Sequence, residues 1–197
     1  MKKNISENAE SVRLNQTKIN KQLNTKTLAK MAMLVAIAVC LALLVHFPIF
    51  PMVSFLEYDP ADIPILIGAM AFGPLWGTVL TVITAFIQGL TVSASSGIYG
   101  IIMHIIATLT LSLTASLIYF HKKTKKSAII GLSLGAAAMT VVMFFANMVI
   151  TPLFMGLPLS GVMSVMVYIV LFNLIKAVVN SAITFFLYKR ISPFLHK

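Results

Sequence analysis

From Thr27 onward the chain alternates long apolar runs with short breaks made of proline, glycine or charge. The runs predict helices over about 27–47, 61–72, 75–90, 98–120, 127–151 and 164–188. A helix needs about 20 apolar residues to cross the hydrocarbon core of a bilayer, and most of these runs approach or exceed that length. The run over 61–72 does not, so it is expected to be tilted, extended at its ends or buried in protein. Gly73-Pro74 separates it from the third run. Pro152 is expected to stop the fifth helix soon after Asn147, because the residue before a proline avoids helical geometry. Leu153 to Ser160 then reads as a loop.

The longest break, Pro48 to Pro64, cannot be helical across Pro48, Pro51 and Pro60. Its first half is apolar and aromatic. Its second half holds Glu57, Asp59 and Asp62, three of the five acidic residues of the chain. It is expected to form an outer loop able to fold over a ligand, with Asp62 capping the helix that follows. Thr91 to Gly97 is small and polar, a flexible loop. On the first helix, Ala32, Ala36 and Cys40 form a stripe of small residues, the pattern that lets helices approach closely in membranes. Such a stripe serves either packing within the bundle or a partner helix, and Cys40 is expected to be a small packing residue.

Composition fixes the solvent. The chain is 59% hydrophobic and 10% charged, with a mean hydropathy of +0.96, whereas soluble domains carry about 25% charged residues. An all-α integral membrane protein is expected. The net charge of +10 is unevenly placed: seven of the 15 Lys and Arg residues lie at or before Lys30, four within His121 to Lys126 and three from Lys189 onward. Basic clusters beside apolar runs mark cytoplasmic segments. The tail, the 121–126 loop and the C-terminus are therefore expected inside. Four crossings followed by two give a six-transmembrane-helix bundle with N- and C-termini cytoplasmic. The same distribution argues against nucleic acid as a partner. Residues 1–26 form a polar, basic tail suited to lie near the anionic inner leaflet of the bilayer. The single cysteine allows no intrachain disulfide and no Cys-based metal site.

The fifteenth basic residue is Lys176, inside the last apolar run. On a helix, Asn173, Lys176 and Asn180 fall within roughly 60° of one another, and Lys176 lies about 20 Å of helical rise from Lys189. That distance is too great for its stem to snorkel to the basic surface. An intramembrane ionisable group must face a cavity or a partner, and it marks a functional site by default. His104, with no second ligand near it in sequence, is expected to be a packing or cavity-wall residue rather than a metal ligand. Gln88 offers either interhelical hydrogen bonding or a site wall.

Several chemistries are missing. There is no G-x-x-x-x-G-K-[ST] nucleotide loop, no H-E-x-x-H and no G-x-S-x-G. No carboxylate pair lies within a predicted span, as an ion-coupled secondary carrier would require. No enzymatic activity, cofactor or metal is expected. The pattern is that of a membrane binding protein energised by other subunits.

Five segments carry a resemblance: Leu56-Glu57-Tyr58-Asp59-Pro60-Ala61-Asp62-Ile63-Pro64, Phe72-Gly73-Pro74, Ser95-Ser96-Gly97, Asn147 to Pro152, and Phe172-Asn173-Leu174-Ile175-Lys176. In this order they resemble the riboflavin-specific substrate-binding components (S components) of energy-coupling-factor (ECF) transporters, over about Leu28 to Leu195. The resemblance implies six helices and vitamin uptake across the cell membrane of a bacterium. It also implies docking to a transmembrane coupling protein driven by two ATP-binding subunits. It assigns the polar end of a flavin to Asn147, Asn173 and Lys176, and contact with the coupling protein to Ala32 and Ala36. Tyr58 and Asp59 of the acidic loop join the expected substrate site. Gln88, Ser95 and Thr151 are candidates for the ribityl chain on composition. Riboflavin is then cargo, not cofactor. Flavin mononucleotide, thiamine or another vitamin is the nearest alternative, and an ion-coupled carrier the alternative from another class. Two departures from the family pattern stand out: the tail before Thr27 is long, and Ala177 follows Lys176 where glycine is expected.

Overall fold

Apolar runs of this length have one way to satisfy their backbone polar groups in lipid, which is to coil into helices. The computed structural model describes Thr25–Leu195, and helices dominate it. Six occur among the described residues: α1 (Thr25–Leu44), α2 (Asp62–Phe72), α3 (Pro74–Leu90), α4 (Gly97–Lys122), α5 (Lys125–Met155) and α6 (Leu159–Leu195). Four stretches, Thr25–Leu44, Ala94–Lys122, Lys125–Met155 and Leu159–Ser192, are long and apolar enough to cross a membrane. The chain divides into two units, Met1–Met33 and Leu34–Lys197. Of the first unit only Thr25–Met33, the opening turns of α1, is described. The expected tail over 1–26 lies almost wholly outside the described residues.

In the second unit, α2 answers the question raised by its length. Ten of its eleven residues, Asp62 to Ala71, are buried. It packs against α3, α4 and α6, so protein rather than lipid surrounds it. Asp62 holds Thr108 of α4 and Asn180 of α6, and the Tyr188 hydroxyl of α6 donates to the Met70 carbonyl at 3.4 Å. Gly73 links α2 to α3 at φ +108°, a backbone conformation that side chains disfavour, while its N–H closes α2 on the Ala69 carbonyl.

Helices α4 and α5 make the most extensive helix pair. A Cβ placed on Gly131 would lie 2.7 Å from the Ala115 carbonyl oxygen, and one on Gly135 2.9 Å from that of Leu111. Backbone therefore packs on backbone, the arrangement that small residues make possible in membranes.

Three expectations are corrected. Pro152 does not end α5: the helix continues to Met155 with Pro152 inside it. The loop expected over Leu153 to Ser160 shrinks to Gly156, Leu157 and Pro158, with Gly156 closing α5 at φ +64°. The prolines of the 48–64 segment admit a 3-10 turn over Pro51–Val53, the first turn of α2 at Pro64, and strand pairing. Strands β1 (Phe47–Pro48) and β2 (Glu57–Tyr58) form a two-residue antiparallel ladder with Phe47 opposite Tyr58, and their rings lie 5.5 Å apart. The ladder ties off residues 49–56, whose Val53 joins Val162, Met166 and Ile169 of α6 in a buried apolar cluster flanked by Phe50, Phe55 and Leu56. The loop is thereby anchored onto the start of α6.

Candidate functional site

Helical periodicity carries the polar positions of α5 and α6 inward together. Asn147 and Thr151 follow Met139 and Met143 at four-residue steps on α5, and Asn173 and Lys176 follow Phe172 on α6; all seven are buried. With the loop residues Phe55, Leu56, Glu57 and Asp59 and the first half of α4, they enclose a cavity of about 140 Å3. Tyr99, Met103 and His104 of α4 complete one wall, and Phe154 closes another. Phe154 lies 6.2 Å from the ring of Phe55 and 6.0 Å from that of Tyr99, so loop, α4 and α5 meet there through aromatic edges.

Lys176 does not end on carbonyls. Its Nζ lies 2.7 Å from Asp59 Oδ2, and Asp59 Oδ1 accepts the Ala61 N–H at 3.0 Å. Burial raises the Asp59 carboxyl. The charges of Lys176 and His104 and the hydrogen bonds from Lys176 and Ala61 more than offset this and hold it below its usual range. Burial also raises the Tyr58 phenol, which therefore remains a donor, to Asn180 Oδ1 at 2.8 Å.

Asn180 is the hub behind the cavity. Its amide N–H groups donate to the Asp59 carbonyl at 3.2 Å and to Asp62 Oδ2 at 3.0 Å, while its oxygen accepts from Tyr58. Asp62 Oδ1 accepts the Thr108 hydroxyl at 2.6 Å, and Thr108 lies 3.4 Å from His104 Nε2. Asp62 is thus no helix cap: Ala61 occupies that position with no side-chain bond to the helix end, and both Asp62 oxygens are engaged across the bundle. Asp62, fully buried within α2, faces the same network as Asp59 and Asn180.

Counting donors and acceptors separates scaffold from site. Asn180 has no unused N–H. Asn147 spends one N–H on the Met143 carbonyl at 2.7 Å and accepts the Thr151 hydroxyl at 2.8 Å, which leaves a second N–H and a lone pair. Asn173 spends one N–H on the Ile169 carbonyl at 2.8 Å and keeps its oxygen and its other N–H. Lys176 has two N–H groups beyond Asp59. The open positions on these three residues, which all line the cavity, suit a planar ligand edge that alternates acceptors and donors.

Of the sequence-predicted site residues, Asn147, Asn173, Lys176, Asp59 and Thr151 are brought together on this cavity. Tyr58 lies one step behind it, on Asn180. Gln88 and Ser95 do not line the cavity: Gln88 is buried in α3, where its main-chain carbonyl accepts the N–H groups of Thr91 and Ser93, and Ser95 is exposed in the 94–96 turn. Ser93 and Ser96 line the cavity instead. Met139, Met143 and Phe154 were missed, although their spacing from Asn147 along one helix face was available as a signal. On α1, Ala32, Ala36 and Cys40 are all exposed, so Cys40 is no interior packing residue.

Residues 26–188 match the family model described as ECF transporter, substrate-specific component. The chain is 32% identical over 187 residues to the riboflavin transporter RibU of Staphylococcus aureus (strain TCH60), covering 91% of this chain and 97% of that protein. It is 27% identical over 184 residues to the riboflavin transporter FmnP of Bacillus subtilis (strain 168), covering 89% and 96%. A solved structure of the S component of a bacterial ECF transporter matches with a TM-score of 0.75 at 29% identity, over 90% of this chain and 99% of that one.

Proposed function

The chain belongs to the family of ECF transporter substrate-specific components, and on that premise we propose that it is a riboflavin uptake subunit that binds the vitamin in the polar cavity between α4, α5 and α6. The observation that carries this reading is the set of open hydrogen-bonding positions on Asn147, Asn173 and Lys176 at one end of a cavity with aromatic and thioether walls. The pyrimidine-like end of a flavin presents two carbonyls and an imide N–H. Two amides and an ammonium supply the matching donors and acceptors. Phe55, Tyr99, Phe154 and Phe172 give the tricyclic ring its apolar faces. Ser93, Ser96 and Thr151 offer partners to ribityl hydroxyls. Both curated relatives are described as riboflavin transporters.

Charge favours riboflavin over its phosphate. The cavity contains Glu57 and Asp59 against Lys176 alone, and Lys176 is already paired. A phosphate there meets carboxylates without a compensating cation.

In this reading the six-helix bundle lies in the bacterial cell membrane with α2 enclosed by its neighbours, both termini and the 121–126 turn in the cytoplasm and the 49–56 loop outside. The exposed stripe through Ala32 and Ala36 receives the transmembrane coupling protein, and two ATP-binding subunits supply the energy. The subunit itself makes and breaks no covalent bond.

The test is a titration of riboflavin, followed by quenching of its fluorescence, on the full chain purified in mild detergent. One-to-one quenching is expected, with Lys176→Ala weakening affinity by about 100-fold, the loss for a charged hydrogen-bonding anchor. Quenching indifferent to Lys176→Ala removes the site. Binding of thiamine or biotin in place of riboflavin removes the cargo.

A further inference from the structure

A second cavity, of about 250 Å3, opens where the turn between α4 and α5 meets the last turns of α6. Lys123, Lys125 and Lys189 line it, with the hydroxyl-bearing Tyr119, Thr124 and Ser192. No acidic residue follows Asp62 anywhere in the sequence. Asp59 pairs with Lys176, in the other cavity. Three lysines thus line one concave site, Lys123 with its Nζ 4.5 Å from the centre of the Phe120 ring, and among the described residues no carboxylate lines it with them.

Charge and helix dipole conflict there. The first turn of α5 carries Lys125 and Lys126 and no acid, although the positive end of a helix dipole repels cations. A bound anion relieves both the crowding of charge and the dipole conflict, and the N–H groups of Lys125 and Lys126, ahead of the Ser127 and Ala128 N–H groups that Thr124 already holds, can donate to its oxygens. The positive-inside bias of membrane proteins accounts for lysines in this turn. It does not account for their lining one cavity together with hydroxyl groups.

We propose that this cavity is a binding site for a phosphate group, carried either by an anionic lipid headgroup or by a free phosphate compound. The proposal uses none of the residues assigned to the vitamin and stands or falls separately from the cargo.

The delipidated full chain in neutral detergent is titrated with short-chain phosphatidylglycerol and, separately, with inorganic phosphate, and binding is read by phosphorus NMR. Saturable binding of at least one probe is expected. The triple variant Lys123→Gln, Lys125→Gln, Lys189→Gln is expected to weaken it about tenfold. The variant Lys122→Gln, Lys126→Gln, Arg190→Gln, which removes equal charge outside the cavity lining, is expected to weaken it less than about threefold. Saturation by phosphatidylglycerol alone assigns a lipid; saturation by inorganic phosphate assigns a free phosphate compound. Equal losses in the two triple variants, or no saturable binding of either probe, overturn the proposal. If the first triple variant does not elute as a single species, Lys125→Gln alone is read: a loss of about threefold supports the site, and no change overturns it.

Discussion

Lys176 Nζ and Asp59 Oδ2 stand 2.7 Å apart across 117 residues of sequence, joining the middle of the last helix to the turn that precedes α2. Both side chains are largely buried, with 9% and 14% of their surfaces exposed. In such surroundings the Coulomb gain is set against a large desolvation cost, and removing one partner leaves the other charged and unpaired.

Lys176→Met alone is therefore expected to destabilise the ligand-free protein by roughly 3 kcal/mol. The double variant Lys176→Met, Asp59→Leu recovers most of that loss, because no orphaned charge remains. Neither binds riboflavin tightly. Denaturation midpoints beside fluorescence titrations separate the two effects: a double variant as unstable as the single one contradicts the charge-pair account.

Acid should act through the same pair. The Asp59 carboxyl is held below its ordinary value of 3.8, so its contribution to stability is complete above that value. It is lost as the pH falls through the lower value of the folded state. The thermal midpoint is expected to be insensitive to this group between roughly pH 5 and pH 8 and to decline below about pH 4. Asp59→Asn should flatten the acid limb while lowering the plateau. An unchanged acid limb in Asp59→Asn assigns the decline to other groups.

Asn180 does not line the cavity, yet it fixes Tyr58, Asp59 and Asp62 together. Asn180→Leu leaves a buried carboxylate oxygen and a phenol without their partner, a loss of roughly 2–4 kcal/mol. It should also weaken riboflavin binding by displacing Asp59. Tyr58→Phe removes one bond of the three and should cost about 1 kcal/mol. Equal effects of the two substitutions, read by thermal unfolding, contradict the hub.

Gly131→Ala forces a methyl against the Ala115 carbonyl and should destabilise by roughly 1–3 kcal/mol as α4 and α5 are pushed apart. Ala137 is exposed on the same helix, so Ala137→Leu is expected to change stability by less than about 0.5 kcal/mol. Matched denaturant titrations distinguish packing at the seam from a general intolerance of larger residues.

Ala36→Leu, on the exposed small-residue stripe, should leave riboflavin affinity intact and abolish vitamin uptake in cells that supply the coupling and ATP-binding subunits. Loss of affinity in the isolated subunit would place Ala36 in the fold instead of at a docking surface.

The sequence discloses what depends on neighbours along one helix and conceals what depends on distant partners. Lys176 was legible as a cavity-facing charge because the depth of a charge in an apolar run follows from counting. Asn173 and Asn180 followed because helical spacing places them beside it. Asp62 was misjudged because a carboxylate near a helix start has a local use, and only the tertiary approach of Thr108 and Asn180 redirects it. Pro152 was read as a terminator because its missing N–H and the restraint on Val149 to Thr151 are local penalties. The helix absorbs them and runs one further turn. Ser95 and Ser96 look alike in sequence; a short 3-10 turn over Ala94–Ser96 decides which faces the cavity.

The enclosure of α2 bears on how the protein is made. A segment of eleven residues with a carboxylate at its head is a poor candidate to leave the translocon and settle in lipid by itself. Its lateral partners on α4 and α6 emerge from the ribosome later, and Asn180, which Asp62 needs, comes about 118 residues after it. During synthesis, then, Asp62 is without its Asn180 partner until the last helix has been made. Nascent chains cut short before α6 should be prime substrates for membrane quality-control proteases.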